Sequence, residues 1–461
     1  MTIERDKCYS SVPYPQVFIF RVMNTQKHIL LFGAGKSASV LIDFLKQKAV
    51  TEQWKITVAD VNPDAIRTKL GNHPLTEAVA LDITNGLQRK ELVRSADVVI
   101  ALLPPSLQYM VALDCLHFGK HFLTASYTDP DIQLLANEIQ QKGILFLCEM
   151  GLDPGIDHMS AMQMIHRIKS SGGKIHSFRS HCGGLVAAES DTNPWHYKFS
   201  WNPRNVVIAG KAGAVYLENG ELKKQSYQTL FSDCELLTVQ GQGPLCFYPN
   251  RDSLGYIPIY EMEEATSFIR TTLRHPDYCK GWNTVIQIGL TDEVELIHTD
   301  GLSIASFFEM HFRKTGVRVN DLSPVQQKQF EFLGLSDTSL INKGDCTAAD
   351  VLQWILEKKW ALQPEDKDLI IMVHEIGYSM PDNMGKMESA TIIAELIVTG
   401  ENSVHTAMAK TVGLPLGIAA SLILEGKIRE TGLHIPTVPG IYVPVLEELE
   451  RYGIGFVERE G

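Results

Sequence analysis

The first regular pattern along the chain is a short apolar run, His28-Ile29-Leu30-Leu31-Phe32, which stops at Gly33-Ala34-Gly35. Beyond it Ala38, Leu41, Ile42 and Leu45 recur at helical spacing up to Lys48, and a second run, Ile56-Thr57-Val58-Ala59, ends at Asp60. Short apolar runs bounded by turn residues predict buried strands, and the 3.6-residue period predicts a helix between them. Further strand-length runs follow at 97–103, 121–124 and 144–147, with spacers long enough for helices. Alternation of strand and helix predicts a parallel, doubly wound sheet. Residues 1–26, with Pro13 and Pro15, read as an irregular N-terminal extension.

Farther on, Met162, Ile165 and Ile168 mark one face of an amphipathic helix, preceded by Gly151-Leu152-Asp153-Pro154-Gly155-Ile156-Asp157-His158-Met159. Asp153 is placed to cap that helix, with Pro154 at its first position. Val351, Leu352, Trp354 and Ile355 show helical spacing, and 369–374 and 389–398 read as strands. The chain shows no internal repeat and no low-complexity segment.

Composition narrows the class. The 461 residues are 44% hydrophobic and 21% charged, as in ordinary globular proteins. A formal charge of −12 and the lack of any Lys/Arg run argue against a nucleic-acid partner. Eight cysteines without a CxxC pair predict reduced thiols in a cytoplasmic protein. No apolar run approaches the ~20 residues of a membrane span, so no membrane association is expected. The first residues lack the basic-then-apolar order of a signal peptide.

The candidate chemistry begins at the glycine turn. Gly33 permits a tight exit from the strand, Gly35 lets a pyrophosphate approach the backbone N–H groups at the helix start, and Ala38 lets helix and strand pack closely. Asp60, ending the second strand, is placed to accept adenosine ribose hydroxyls and to repel a 2′-phosphate. The expected cofactor is therefore NAD, with NADP not excluded. Ligands of such sheets lie beyond the carboxyl ends of the strands, which singles out Leu103, Ala125-Ser126-Tyr127 and the segment after Leu147. His158, His166 and His176 form no metal-spaced set, and Cys182 beside His181 lacks a second ligand pair, so no metal is expected.

The string Gly151–Met159 resembles one in saccharopine dehydrogenases of the glutamate-forming type. His181-Cys182-Gly183-Gly184-Leu185, Asn193-Pro194, Tyr197-Lys198-Phe199-Ser200-Trp201, Tyr248-Pro249-Asn250-Arg251-Asp252-Ser253, Arg270-Thr271-Thr272-Leu273-Arg274 and Met408–Gly413 are similar to family motifs in the same order. The chain departs from the family pattern at Lys36, Pro105, His181, Val186, Ala188 and Thr271.

The resemblance implies that Gly33, Ala34, Gly35, Asp60, Leu103, Ala125, Ser126 and Tyr127 surround the dinucleotide. It implies that Ser126, Tyr127, Asp153, Arg251, Thr272, Leu273 and Arg274 surround saccharopine, a secondary amine with three carboxylates. Arginine binds carboxylates in a planar, bidentate fork, which suits Arg251 and Arg274. Asp153, Tyr127 and His158 are the candidates for proton transfer, Asp153 and Tyr127 foremost.

The implied reaction interconverts saccharopine with glutamate and 2-aminoadipate 6-semialdehyde, in lysine metabolism. The implied fold is a Rossmann-like domain at 27–128, completed by about 405–461. A mixed α/β substrate and dimerisation domain follows at 129–280 and 365–404, with a helical insertion at 281–364, in a homodimer. Two other readings stand beside it. A carboxynorspermidine- or carboxyspermidine-type dehydrogenase would need acidic residues for its polycation, and a catalytically silent NAD(P)-binding protein would not turn over saccharopine.

Overall fold

The computed structural model describes residues 26–382 and 384–460, so the expected N-terminal extension lies outside the described residues except for its last position. The chain opens with β1 His28–Phe32, α1 Ser39–Glu52, β2 Lys55–Asp60, α2 Pro63–Leu70, β3 Thr76–Ala80 and α3 Gly86–Ser95. It continues with β4 Val98–Ala101, α4 Pro105–Phe118, β5 His121–Thr124, α5 Pro130–Gln133, α6 Ala136–Gln141 and β6 Leu145–Leu147. Every residue of β1, β4 and β6 is buried, which is why these strands read as unbroken apolar runs.

The middle of the chain supplies α7 Ile156–Ser170, β7 Lys174–Val186, α8 Pro203–Val207, β8 Ala214–Glu218, β9 Glu221–Gln225, β10 Glu235–Leu237, β11 Leu245–Pro249, β12 Arg251–Asp252 and β13 Ser267–Arg274. After them come α9 Pro276–Gln287, β14 Leu296–His298, α10 Ile304–Thr315, α11 Pro324–Leu333, β15 Asp345–Thr347 and α12 Ala348–Lys359. The last elements are β16 Asp368–Pro381, β17 Met387–Thr399, α13 Ala407–Leu424, β18 Gly432–His434, α14 Pro439–Arg451 and β19 Val457–Glu460.

The first sheet has the order β3-β2-β1-β4-β5-β6-β18, all parallel. The strand order reverses between β1 and β4, which puts the ligand crevice at the carboxyl ends of those two strands. The expected boundary at 128 falls short of this sheet, because β6 belongs to it, while β18 lies in the expected returning segment. The tail also divides: β19, expected with the first unit, pairs with β17 in the second sheet.

That second sheet is mixed, ordered β10-β11-β13-β7-β16-β17-β19, with β8, β9 and β12 attached at one side. β13 runs parallel to β7, while β16 and β17 form a long antiparallel hairpin against β7. The 281–364 region carries α10, α11 and α12 and a short β14–β15 pair, and it packs with α9 around fully buried Trp195, Trp282 and Trp360.

α13, with mean hydropathy 1.6, is long and apolar enough by composition to cross a membrane, contrary to the expectation that no apolar run approaches that length. In this fold it is a core helix, 83% buried. Gly413 lets it press on α1, since a Cβ there would stand 3.0 Å from the Leu41 Cβ. Its N-terminus is held by Asp368 of β16, whose carboxylate accepts the Ala407 and Met408 N–H groups. The helix thereby joins the two sheets.

Candidate active site

At the β1 end, Gly33 has φ +99°, and a Cβ there would lie 2.3 Å from the Leu102 carbonyl oxygen. Only glycine fits. Gly35 faces open space, so its backbone is free for a phosphate to approach, and the chain enters α1 through one 3₁₀ turn, Lys36–Ala38. These features fit a dinucleotide.

Asp60 behaves differently from the sequence expectation. Its Oδ2 accepts the Ala34 N–H at 2.7 Å and its Oδ1 the Asn62 N–H at 2.9 Å, so the carboxylate ties the glycine turn to the end of β2. Lys69 Nζ donates to the carbonyls of Ala34 (2.7 Å) and Gly35. Burial lowers the Lys69 pKa, against the opposing pull of Asp60 and Asp43. Exposed Lys36 adds a second cation at this turn.

One glutamine organises the β4 and β5 ends. Gln108 Nε2 donates to the Leu103 carbonyl and to Ser126 Oγ, both at 2.8 Å, while Thr124 Oγ1 donates to Gln108 Oε1. Leu103, Ala125 and Ser126 are therefore brought to one rim. Gln108 escaped the sequence reading because nothing local distinguishes a buried amide from an exposed one.

The segment from β6 to α7 builds a charged cluster. Asp153 does not cap α7: the helix starts at Ile156, Gly155 holds the N-cap position, and the Gly155 N–H donates instead to Asp157 Oδ1 at 2.6 Å. Asp153 turns toward β13, where Arg270 Nη2 donates to Asp153 Oδ1 (2.6 Å) and to Asp157 Oδ2 (2.7 Å). Two buried carboxylates thus share one guanidinium. Burial pushes Asp153 up to about 6, only partly opposed by Arg270. Burial pushes Asp157 the same way, but His158, Arg270 and the Gly155 N–H together hold it below the usual carboxylate range.

Beside this pair, Glu149 accepts from both the N–H and Oγ1 of Thr128 and from Tyr256 Oη, the last at 2.8 Å. His158 is fully buried, with Nε2 3.0 Å from Glu149 and Nδ1 2.7 Å from Tyr260 Oη. Both ring nitrogens are engaged, so His158 braces the cluster and presents no free nitrogen to a ligand. Burial pushes the Tyr127 phenol up, and Arg251 Cζ stands 5.3 Å from its ring.

On β13 the period of two puts Arg270, Thr272 and Arg274 on one face, with the two arginines about 13 Å apart along the strand. Arg274 is buried between the rings of Tyr197 and Tyr278, at 5.2 and 5.5 Å. Its Nη1 donates to the Leu273 carbonyl, its Nε has no partner, and among the described residues no acidic side chain pairs with it. Arg251 is exposed and also lacks an acidic partner among the described residues. Leu273 points the other way, into the apolar cluster of Leu245, Phe247 and Ile371, so its side chain is not part of the site.

Arg270, Asp157, Glu149 and Tyr256 complete the cluster; Glu149 lies in the segment after Leu147 that the strand ends single out, whereas Arg270, Asp157 and Tyr256 are not among the expected site residues. Arg270 lies in a quoted motif, and its two-residue period with Arg274 was the available signal.

Comparison with known proteins agrees with this architecture. The family model "Saccharopine dehydrogenase NADP binding domain" matches residues 29–147, and "Saccharopine dehydrogenase C-terminal domain" matches 151–454. The chain is 30% identical to a saccharopine dehydrogenase [NADP(+), L-glutamate-forming] of Saccharomyces cerevisiae, covering 94% of this chain and 99% of the relative. It is 33% identical to a mitochondrial alpha-aminoadipic semialdehyde synthase of Bos taurus, covering 94% of this chain and 48% of the relative. The chain spans about half the length of the semialdehyde synthases it matches. Among solved structures, apo saccharopine dehydrogenase (L-Glu forming) from Saccharomyces cerevisiae superposes with a TM-score of 0.84 at 28% identity, over 94% of this chain and 100% of that one.

Proposed function

The chain belongs to the saccharopine dehydrogenase family, and we propose that it interconverts saccharopine with glutamate and 2-aminoadipate 6-semialdehyde, with NADP as its cofactor. One observation carries the substrate: among the described residues Arg274 and Arg251 have no anionic partner, whereas Asp153 and Asp157 both contact Arg270, and Glu149 contacts His158. A buried guanidinium without an anion suits a ligand that brings its own carboxylates. A polyamine substrate would leave both arginines without an anion.

The preference for NADP replaces the sequence expectation of NAD. It is supported by the named relatives and by the turn itself, where both Asp60 oxygens serve backbone N–H groups and Lys69 and Lys36 supply positive charge.

When bound, the nicotinamide supplies a hydride acceptor. The protein's part is alignment and proton handling. Arg274 and Arg251 hold carboxylates so that the lysine-side carbon next to the secondary amine faces the β4–β5 rim. Asp153, with a pKa of about 6, takes the amine proton and frees the nitrogen lone pair. After hydride loss the substrate is an iminium ion; water adds to it with release of a proton, and Asp153 passes the proton it took to the departing glutamate nitrogen. Tyr127, its phenol pushed up by burial, keeps its proton and is placed to donate a hydrogen bond to the substrate. The balance is saccharopine, NADP⁺ and water giving glutamate, semialdehyde, NADPH and one proton.

A homodimer in the cytoplasm belongs to the same proposal, supported by the family resemblance and by seven free cysteines among the described residues. The test is turnover of saccharopine with each cofactor, followed by reduced-nicotinamide absorbance. Turnover with a higher kcat/KM for NADP supports the proposal. No turnover with either cofactor overturns the substrate, and a preference for NAD overturns the cofactor alone.

A further inference from the structure

Three thiols that the proposed reaction does not use converge on one point. Cys234 precedes β10, Cys246 lies in β11, and Cys279 lies in the first turns of α9. Their Sγ atoms all fall within 4.8 Å of one another, and Cys246 Sγ is 3.4 Å from Cys279 Sγ. No spacing rule reveals such a set, because the fold brings it together from separate elements.

The geometry suits a metal ion. Zinc binds thiolate at about 2.3 Å, and tetrahedral angles then place the sulfurs about 3.8 Å apart, within the observed span. Cys246 and Cys279 are buried, whereas Cys234 is partly exposed and offers a route of entry. Charge is also accommodated. Three thiolates around a dication carry a net charge of only −1, and the partly exposed Cys234 side keeps that charge in contact with solvent.

We propose that Cys234, Cys246 and Cys279 form a binding site for one thiophilic cation of the Zn²⁺ class, with solvent completing its coordination beside Cys234. Thiolate ligands select Zn²⁺ and Cu⁺ over harder ions. The bound ion ties β11 to α9 and so fixes the strand pair that carries Arg274. A second cluster, His196, His275 and Asp277, lies at the start of α9 and offers only nitrogen and oxygen donors, which distinguishes it spectroscopically.

The test uses the whole chain, reduced and stripped with chelator, and titrated with Co²⁺ and then Zn²⁺. One equivalent of Co²⁺ should give a sulfur-to-cobalt charge-transfer band that Zn²⁺ removes, and Zn²⁺ should raise the melting temperature. Cys234→Ser, at the partly exposed position, should keep the fold by circular dichroism while weakening the ion at least about tenfold. Cys279→Ser should do the same. Absence of the charge-transfer band, its persistence in both variants, or a cobalt spectrum with nitrogen and oxygen donors only would overturn the proposal.

Discussion

Arg270 Nη2 stands 2.6 Å from Asp153 Oδ1, joining side chains 117 residues apart across the two sheets. Because Asp157 takes the same nitrogen, one positive charge answers two buried carboxylates. Burial raises Asp153, the shared guanidinium opposes it only in part, and Asp153 becomes the group able to exchange a proton near neutrality.

Removal of Arg270 should therefore unbalance the core as well as the site. Arg270→Leu leaves Asp153 and Asp157 facing each other, and loss of one partner from a buried pair costs about 3–5 kcal/mol. Urea denaturation should show a drop of that size. Arg270→Lys keeps the charge without the fork and should recover only part of the loss.

Arg274 should matter for saccharopine and not for the dinucleotide. Arg274→Leu removes a charged hydrogen-bond donor worth about 1.5–3 kcal/mol, so KM for saccharopine should rise roughly ten- to a hundredfold. NADP affinity, measured by titration, should stay close to its original value. Equal weakening of both ligands would move the carboxylate site elsewhere.

Asp60 offers a direct contrast between two roles. A ribose acceptor would discriminate between cofactors, so its loss would weaken NAD far more than NADP. A brace of the glycine turn affects both. With both oxygens on backbone N–H groups, Asp60→Ala should weaken NAD and NADP alike, by roughly ten- to a hundredfold. Dissociation constants for the two cofactors check this.

The residues that announced themselves in sequence are those whose role is local. β1 and β2 are apolar because both faces are covered, and Gly33 is required by its positive φ and the close approach of the Leu102 carbonyl. β3 escaped notice because it is an edge strand, Thr-Glu-Ala-Val-Ala, with most positions outside the core. β18 is only three residues and finds β6 from far along the chain. The cap assigned to Asp153 was a sound local inference, yet the backbone between Gly151 and Gly155 folds tightly enough to turn that side chain toward β13. Charge pairing such as Arg270 with Asp153, and the three-thiol cluster, depend on which strands become neighbours. Leu273 shows the converse: its motif pointed to the site, whereas its period placed it on the opposite face.

Asp153 gives the sharpest prediction, because its partners separate charge from structure. Asp153→Asn keeps the size and one hydrogen-bond acceptor for Arg270, and the residue caps no helix, so the melting temperature should change little. Loss of a general acid–base group lowers the rate by about 10²- to 10⁴-fold, and kcat/KM for saccharopine should fall within that range. The pH profile tests the assignment independently. In the oxidative direction Asp153 must be a carboxylate to take the amine proton. Its raised pKa of about 6 means that activity falls as pH drops through that value and is full above it. The acid limb should disappear in Asp153→Asn, whose residual rate no longer depends on this group. Retention of the limb in the variant would assign the proton transfer to another residue. An unchanged rate would leave Asp153 as no more than the counter-ion of Arg270.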